Sequence, residues 1–247
     1  MTKPTLHIPI LYGSQTGNSQ SCAESLAESL PTTLLKSLSS NSSSKVTITS
    51  TAKQLDDFLE IDRASWPRFF IIVCSSYGVG QAPLGAWKFR DLCDYILEQP
   101  EKSLRLDGVQ YAMLGLGDSK FTTFFLNPTA LDSALMKAGA VRIGTLGKAD
   151  ASGVGDNTQS VVMTKWCEDI IPEVLRVVKE IINESEDNRN RANQMLQLAK
   201  DGTCNVCKEL FDDWDDESNK KSSNNNLVLI LLVALIAVAY ALFVKRS

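Results

Sequence analysis

Apolar residues cluster in five short runs along the first two-thirds of the chain: Leu6 to Leu11, Val46 to Ser50, Phe69 to Cys74, Tyr111 to Leu114 and Val141 to Leu146. β-Branched and aromatic side chains concentrate in them, most plainly in Phe69 to Cys74, and each reads as a strand. Helix-period stretches fill the gaps. Ser19 to Leu30 places Cys22, Leu26 and Leu30 at i, i+4 and i+8 and is expected to stop at Pro31, because proline cannot donate the next helical bond. Further helices are expected over about Ala86–Leu97, over Thr129–Ala138 up to Gly139, and from about Gln159 through Lys179. Strand and helix in alternation predict a parallel sheet with helices on both faces and right-handed crossovers. The serine-rich stretch from Ser37 to Ser44 reads as a solvated loop inside the first crossover.

Three loops follow three of these strands and carry the candidate chemistry. The first, Gly13-Ser14-Gln15-Thr16-Gly17-Asn18-Ser19, joins a strand to a helix with hydroxyls, small residues and amides, which suits a phosphate at a helix N-terminus. It holds no Lys or Arg, so it is not a Walker-type loop, and its spacing is not Gly-x-Gly-x-x-Gly. Taken alone, the same residues are also ordinary turn and N-cap chemistry. The second loop is Ser75-Ser76-Tyr77-Gly78-Val79-Gly80-Gln81-Ala82-Pro83, and the third is Gly115-Leu116-Gly117-Asp118-Ser119-Lys120-Phe121.

In this order and spacing the three segments resemble the flavodoxin-like FMN domain of the diflavin-reductase subtype, as in microsomal NADPH-cytochrome reductase and the sulfite reductase flavoprotein. The resemblance covers about Leu6 to Lys179. It implies a flavodoxin-like, doubly wound α/β fold with a five-stranded parallel sheet in the order 2-1-3-4-5, and ligand at the carboxyl ends of the strands beside the switch point. It also implies FMN as cofactor. The hydroxyls of Ser14, Thr16 and Ser19 and the backbone of Gln15, Gly17 and Asn18 would hold the phosphate. Tyr77 takes the stacking position in the second loop, flanked by Ser75, Ser76, Gly78, Val79 and Gly80. Phe121 stands where the subtype usually carries a second stacking Tyr; the aromatic face is kept and a phenol hydroxyl is lost. Asp118 and the backbone of Leu116, Gly117 and Ser119 would face the ring edge, and Asp150 matches an acidic position of the family, which is more acidic in this stretch. A carboxylate beside the ring disfavours negative charge on it when reduced.

Composition adds limits. The 247 residues are 44% hydrophobic and 22% charged, enough for one sizeable domain with an appendage. A net charge of −4 without a basic stripe gives no nucleic-acid footprint. Six cysteines, Cys22, Cys74, Cys93, Cys167, Cys204 and Cys207, form no disulfide framework, and Met1 to Pro9 lacks the apolar core of a signal peptide, so reduced, cytosol-facing thiols are expected. Cys204 and Cys207 have the spacing of half a zinc site, but no second pair lies near them and the one histidine, His7, is remote, so no metal is assigned. That histidine also leaves no Ser-His-Asp or Cys-His nucleophile to assemble, and no catalytic residue is named.

Beyond residues 1–183, the expected FMN domain, composition shifts twice. Residues 184–226 are a polar linker with the acidic cluster Asp212, Asp213, Asp215, Asp216 and Glu217. Leu227 to Val244 then gives eighteen residues without charge, Pro or Gly, followed by Lys245-Arg246-Ser247. As a helix it spans about 27 Å, the hydrocarbon thickness of the endoplasmic reticulum bilayer. A single-pass tail anchor with the domain in the cytosol is expected, at the endoplasmic reticulum first and the mitochondrial outer membrane second.

These features together predict a membrane-anchored electron carrier that is loaded by a separate NAD(P)H-dependent reductase and unloaded by a protein acceptor, since nothing resembling an FAD or NADPH module follows the FMN segment. Two alternatives use the same residues: an FMN-dependent NAD(P)H:quinone-type oxidoreductase, and a flavin-free membrane adaptor that keeps only the fold.

Overall fold

The computed structural model describes residues 5–38, 46–60, 67–98, 106 and 109–183. The chain runs β1 (Thr5–Gly13), α1 (Asn18–Ser37), β2 (Thr47–Gln54), a short α2 (Leu55–Phe58), β3 (Phe69–Ser75), α3 (Trp87–Glu98), β4 (Gln110–Gly117), α4 (Leu126–Lys137), β5 (Val141–Arg142), β6 (Gly147–Asp150) and α5 (Gln159–Asn183). All strands pair in parallel in the order β2-β1-β3-β4-β5, with β6 also on β4. This is the 2-1-3-4-5 doubly wound fold that the alternation and the resemblance predict.

Two apolar layers hold the sheet, and β3 shows why. Its residues are buried on both faces: Phe70, Ile72 and Cys74 enter the core beneath α2, α3 and α4 with Leu55, Phe58, Phe89 and Leu131, while Phe69, Ile71 and Val73 join Leu26, Leu30, Ile170 and Val174 beneath α1 and α5. Removing each such side chain from water contributes about 1.5–3 kcal/mol. A strand between two helical layers must therefore be continuously apolar, which is what Phe69 to Cys74 is.

Several boundaries differ from expectation, and three of the differences have a cause in the packing. The first helix does not stop at Pro31 but continues to Ser37. Proline at position 31 leaves the Ala27 carbonyl without its helical donor, and the Ser50 hydroxyl of β2 donates to that carbonyl at 2.5 Å instead. The helix thus crosses a proline because the neighbouring strand supplies the missing hydrogen bond. The last strand is not one run from Val141 to Leu146. Between the pairings Gln110↔Val141 and Leu114↔Gly147, four steps along β4 face six along the edge. Ile143 turns into the core there and Gly144 takes φ +63°, where an added Cβ would lie 2.6 Å from Ile170 Cδ1. Finally, α4 begins at Leu126 rather than Thr129, with Pro128 in its first turn, where a missing N–H costs nothing.

The linker 184–226, the apolar stretch 227–244, the basic tail 245–247 and Cys204 with Cys207 lie outside the described residues. Among the described residues no helix is long and apolar enough to cross a membrane.

Candidate functional site

The carboxyl ends of β1, β3 and β4 bring the three loops to one edge of the sheet, at the point where strand order reverses. In the first loop, Gly17 is the N-cap of α1 and turns at φ 93° with nothing within 4 Å of where a Cβ would be. That bare turn leaves open space in front of the helix N-terminus, whose first amides have no intrahelical acceptor. Ser19 is 1% exposed, and its buried hydroxyl has no hydrogen-bond partner. Ser14 Oγ accepts from the Gly17 N–H at 3.1 Å, so the Gly17 amide, expected to face a phosphate, is already engaged. The Ser14 N–H donates to the Leu84 carbonyl at 3.1 Å, and Gln15 Oε1 accepts from the Leu84 N–H at 3.4 Å, tying this loop to the end of the second. Thr16 and Asn18 are exposed at its rim, and Asn18 Nδ2 donates to Gln159 Oε1 at 3.2 Å.

The second loop is a tight reversal in which the Tyr77 N–H donates to the Gln81 carbonyl at 3.0 Å and the Gln81 N–H to that of Tyr77 at 2.8 Å. It lifts Tyr77 to 49% exposure, with Val79 at its tip and Gly78 and Gly80 both at positive φ. Ser75 and Ser76 are inward: the Ser76 N–H donates to the Leu116 carbonyl at 2.9 Å, and Ser76 Oγ accepts from the Asn127 N–H at 3.0 Å. The Leu116 backbone carbonyl is therefore consumed within the fold.

Asp150 organises the third loop. Its Oδ1 accepts from the Ser119 and Ser152 amides, each at 2.9 Å, while Asp118 Oδ1 accepts from the Lys120 amide at 3.0 Å and from the Ser152 hydroxyl. The Ser152 hydroxyl, then the Lys120 amide, holds the Asp118 carboxyl below its usual range; hydrogen bonds from Ser119, then the Ser152 amide, do the same for Asp150. Both carboxylates are charged at neutral pH and face solvent beside Phe121, which is 60% exposed. Gly117 binds through its carbonyl to the Ala151 amide at 2.8 Å. Phe125, in left-handed conformation at φ 68°, packs its ring where a Cβ on Gly115 would stand, with Lys148 Nζ 5.1 Å above it.

Three residues outside the motifs lock this edge. Asn127 is fully buried: Nδ2 donates to the Ser75 carbonyl at 2.9 Å and to Cys74 Sγ at 3.3 Å, and Oδ1 accepts from Arg90 Nη1 at 3.0 Å. Arg90 also reaches the Gly80 carbonyl at 3.5 Å, and the Asp94 carboxylate fixes its Nε at 2.8 Å. Gln159, besides accepting from Asn18, donates to the carbonyls of Ala149 at 3.3 Å and Gly117 at 3.4 Å, so it bridges the first and third loops. An amide in the apolar stretch Phe124 to Pro128 was a visible signal for Asn127. Gln159, a polar residue at the start of a helix, carried none.

The profile of the flavodoxin family matches residues 10–164. NADPH-dependent diflavin oxidoreductase 1 of Schizosaccharomyces pombe is 29% identical over 171 residues, covering 69% of this chain and 26% of that protein. NADPH–cytochrome P450 reductase of Saccharomyces cerevisiae is 30% identical over 168 residues, covering 68% and 21%. The chain thus spans about a quarter of the length of the curated relatives it matches. Among solved structures, oxidised flavodoxin 1 from Bacillus cereus aligns over 68% of this chain and 98% of that one, at 16% identity and a TM-score of 0.45. The residues present fit a flavodoxin cofactor: a buried hydroxyl awaits an acceptor, a bare glycine turn leaves room for it, and two exposed aromatic faces flank the adjoining edge. Family match, strand order and loop positions agree, and the chain belongs to the flavodoxin family, whose cofactor is FMN.

Proposed function

We propose that this chain is an electron-transfer flavoprotein held at a membrane by residues 227–244, which takes electrons from a separate NAD(P)H-dependent reductase and passes them to a protein acceptor. The observation that carries the cofactor site is the partnerless Ser19 hydroxyl, buried beside a helix N-terminus. A buried hydroxyl without a partner is costly, and a phosphate oxygen is the acceptor that relieves it. When bound, FMN supplies one- and two-electron transfer.

The protein's own residues do the rest. Ser14, Thr16, Ser19 and the free amides of the first turn of α1 hold the phosphate without a cationic side chain. Tyr77 and Phe121 cover the ring and keep water from its faces. Asp118 and Asp150 keep negative charge at the third loop, which opposes further negative charge on the ring edge. Relatives named as NADPH-dependent reductases support electron transfer as the task. The uncharged run 227–244 supports the anchor, with the endoplasmic reticulum as first location and the mitochondrial outer membrane as second. An anchor of this kind raises the local concentration of partners in the same bilayer.

The full chain, expressed in cells and extracted with detergent, should carry flavin absorbance and release one FMN per chain. It should stay oxidised with NAD(P)H alone and be reduced when an NADPH-dependent diflavin reductase is added. A colourless protein unable to take up FMN would refute the cofactor site. Direct reduction by NAD(P)H would favour the quinone-reductase alternative, and release from membranes by alkaline carbonate would remove the anchor.

A further inference from the structure

The seam between α1 and α5 holds chemistry that electron transfer does not use. At its mouth Asn18 bonds Gln159 across the two helices at 3.2 Å. One turn along α1 from Asn18 lies Cys22, and two turns along α5 from Gln159 lies Cys167. Cys167 packs against the buried cluster that contains Cys22, the two thiols interact across the seam, and both are free. Cys22 is 9% exposed within the core beneath α1 and α5, whereas Cys167 is half-buried at the rim of that core. The other two described thiols, Cys74 and Cys93, lie in the layer on the opposite face of the sheet.

We propose that Cys22 and Cys167 are a dithiol site for peroxide, whose oxidation staples the helix that begins at the phosphate loop to the C-terminal helix of the domain. The arrangement assigns the roles. Cys167, half-buried at the rim, is the sulfur that peroxide reaches, and its interaction with Cys22 favours the thiolate although burial and Glu168 oppose it; Cys22, buried in the core, follows as the resolving thiol. Cys167 as thiolate attacks one oxygen of hydrogen peroxide. The O–O bond breaks, hydroxide leaves and takes a proton to become water, and Cys167 becomes a sulfenic acid. Cys22 sulfur then attacks Cys167 sulfur; the S–O bond breaks, and a second water leaves with the Cys22 proton. Two thiols lose two electrons and two protons, peroxide gains them, and one disulfide with two waters results. A dithiol such as dithiothreitol reverses it. The staple closes a loop of about 145 residues, so it restricts the unfolded chain strongly.

The test uses the full chain in detergent, treated with a few equivalents of hydrogen peroxide, blocked with N-ethylmaleimide and digested for mass spectrometry. The expected product is one Cys22–Cys167 cross-linked peptide, two hydrogens lighter than its parts, lost on dithiothreitol treatment, with a thermal midpoint raised by about 10 °C in the oxidised protein. In Cys167→Ser, Cys22 should remain alkylatable; in Cys22→Ser, Cys167 should be trapped as sulfenic acid by dimedone. Alkylation of both cysteines in the peroxide-treated wild type, linkage of Cys167 to a different cysteine, or oxidation of Cys167 alone would each overturn the pair. None of these outcomes depends on whether FMN is bound, so they are separable from the cofactor assignment.

Discussion

Replacing Ser19 with Ala should move stability and cofactor affinity in opposite directions. In the protein without FMN the hydroxyl is buried at 1% exposure and makes no hydrogen bond. Leaving such a group unsatisfied costs about 1–3 kcal/mol, so its removal should leave the apoprotein unchanged or stabilise it by about 1 kcal/mol. On the proposed site the same hydroxyl would donate to a charged phosphate, a hydrogen bond worth about 1.5–3 kcal/mol, so Ser19→Ala should weaken FMN binding about tenfold to a hundredfold. Urea unfolding of the apoprotein gives the first quantity, and titration of FMN fluorescence quenching gives the second. The holoprotein closes the cycle, since its advantage over the apoprotein follows the affinity by linkage and should shrink in the variant. A variant that loses more than about 1 kcal/mol as apoprotein while binding FMN normally would show that Ser19 is packing and would remove the observation on which the phosphate site rests.

Asp56 should prove a structural clamp: its carboxylate accepts from the amides of Trp87 and Phe89, each at 3.0 Å, and Asp56→Ala should cost about 2–3 kcal/mol in urea unfolding, because two first-turn donors of α3 lose an ionised partner. Ser50→Ala should cost about 1–2 kcal/mol by orphaning the Ala27 carbonyl, and markedly less in a Pro31→Ala background, where position 31 regains an N–H; a double-mutant cycle without coupling would refute this account. Asp118 and Asp150 have folded pKa values below the ordinary 3.8, so their contribution is complete above that value and is lost as pH falls through the lowered folded range. Thermal midpoints measured from pH 6 down to pH 2 should therefore fall below about pH 4, less steeply in Asp150→Asn than in the wild type.

The sheet was legible because its central strand is covered on both sides. Phe69 to Cys74 has no solvated face, and continuous burial leaves a composition that few other elements share. The end of the first helix is hidden for the opposite reason: Pro31 is a local stop signal, while the Ser50 hydroxyl that overrides it comes from a different strand. The break in the edge strand depends on a core contact between Gly144 and Ile170, equally remote in sequence. At the site, the motif loops could be located because glycine and hydroxyl residues gather after strands. Which groups remain free could not be read, since the Gly17 amide is taken by Ser14 and the Leu116 carbonyl by Ser76. Gln159 joins two loops across more than a hundred positions, and no local pattern marks such a link.

The amide of Asn127 has a practical consequence for engineering. The side-chain amide holds the Ser75 carbonyl and Arg90 while the backbone N–H of the same residue donates to Ser76 Oγ, so the loop bearing Tyr77 and the segment after Phe121 form one mechanical part rather than two. A graft of the Tyr77 loop into another flavodoxin scaffold has to carry Asn127 and Arg90 with it. Cut anywhere between them, the transplanted loop arrives with a half-buried serine carbonyl that has lost its amide donor, and its aromatic side chain loses the frame that fixes its height above the sheet.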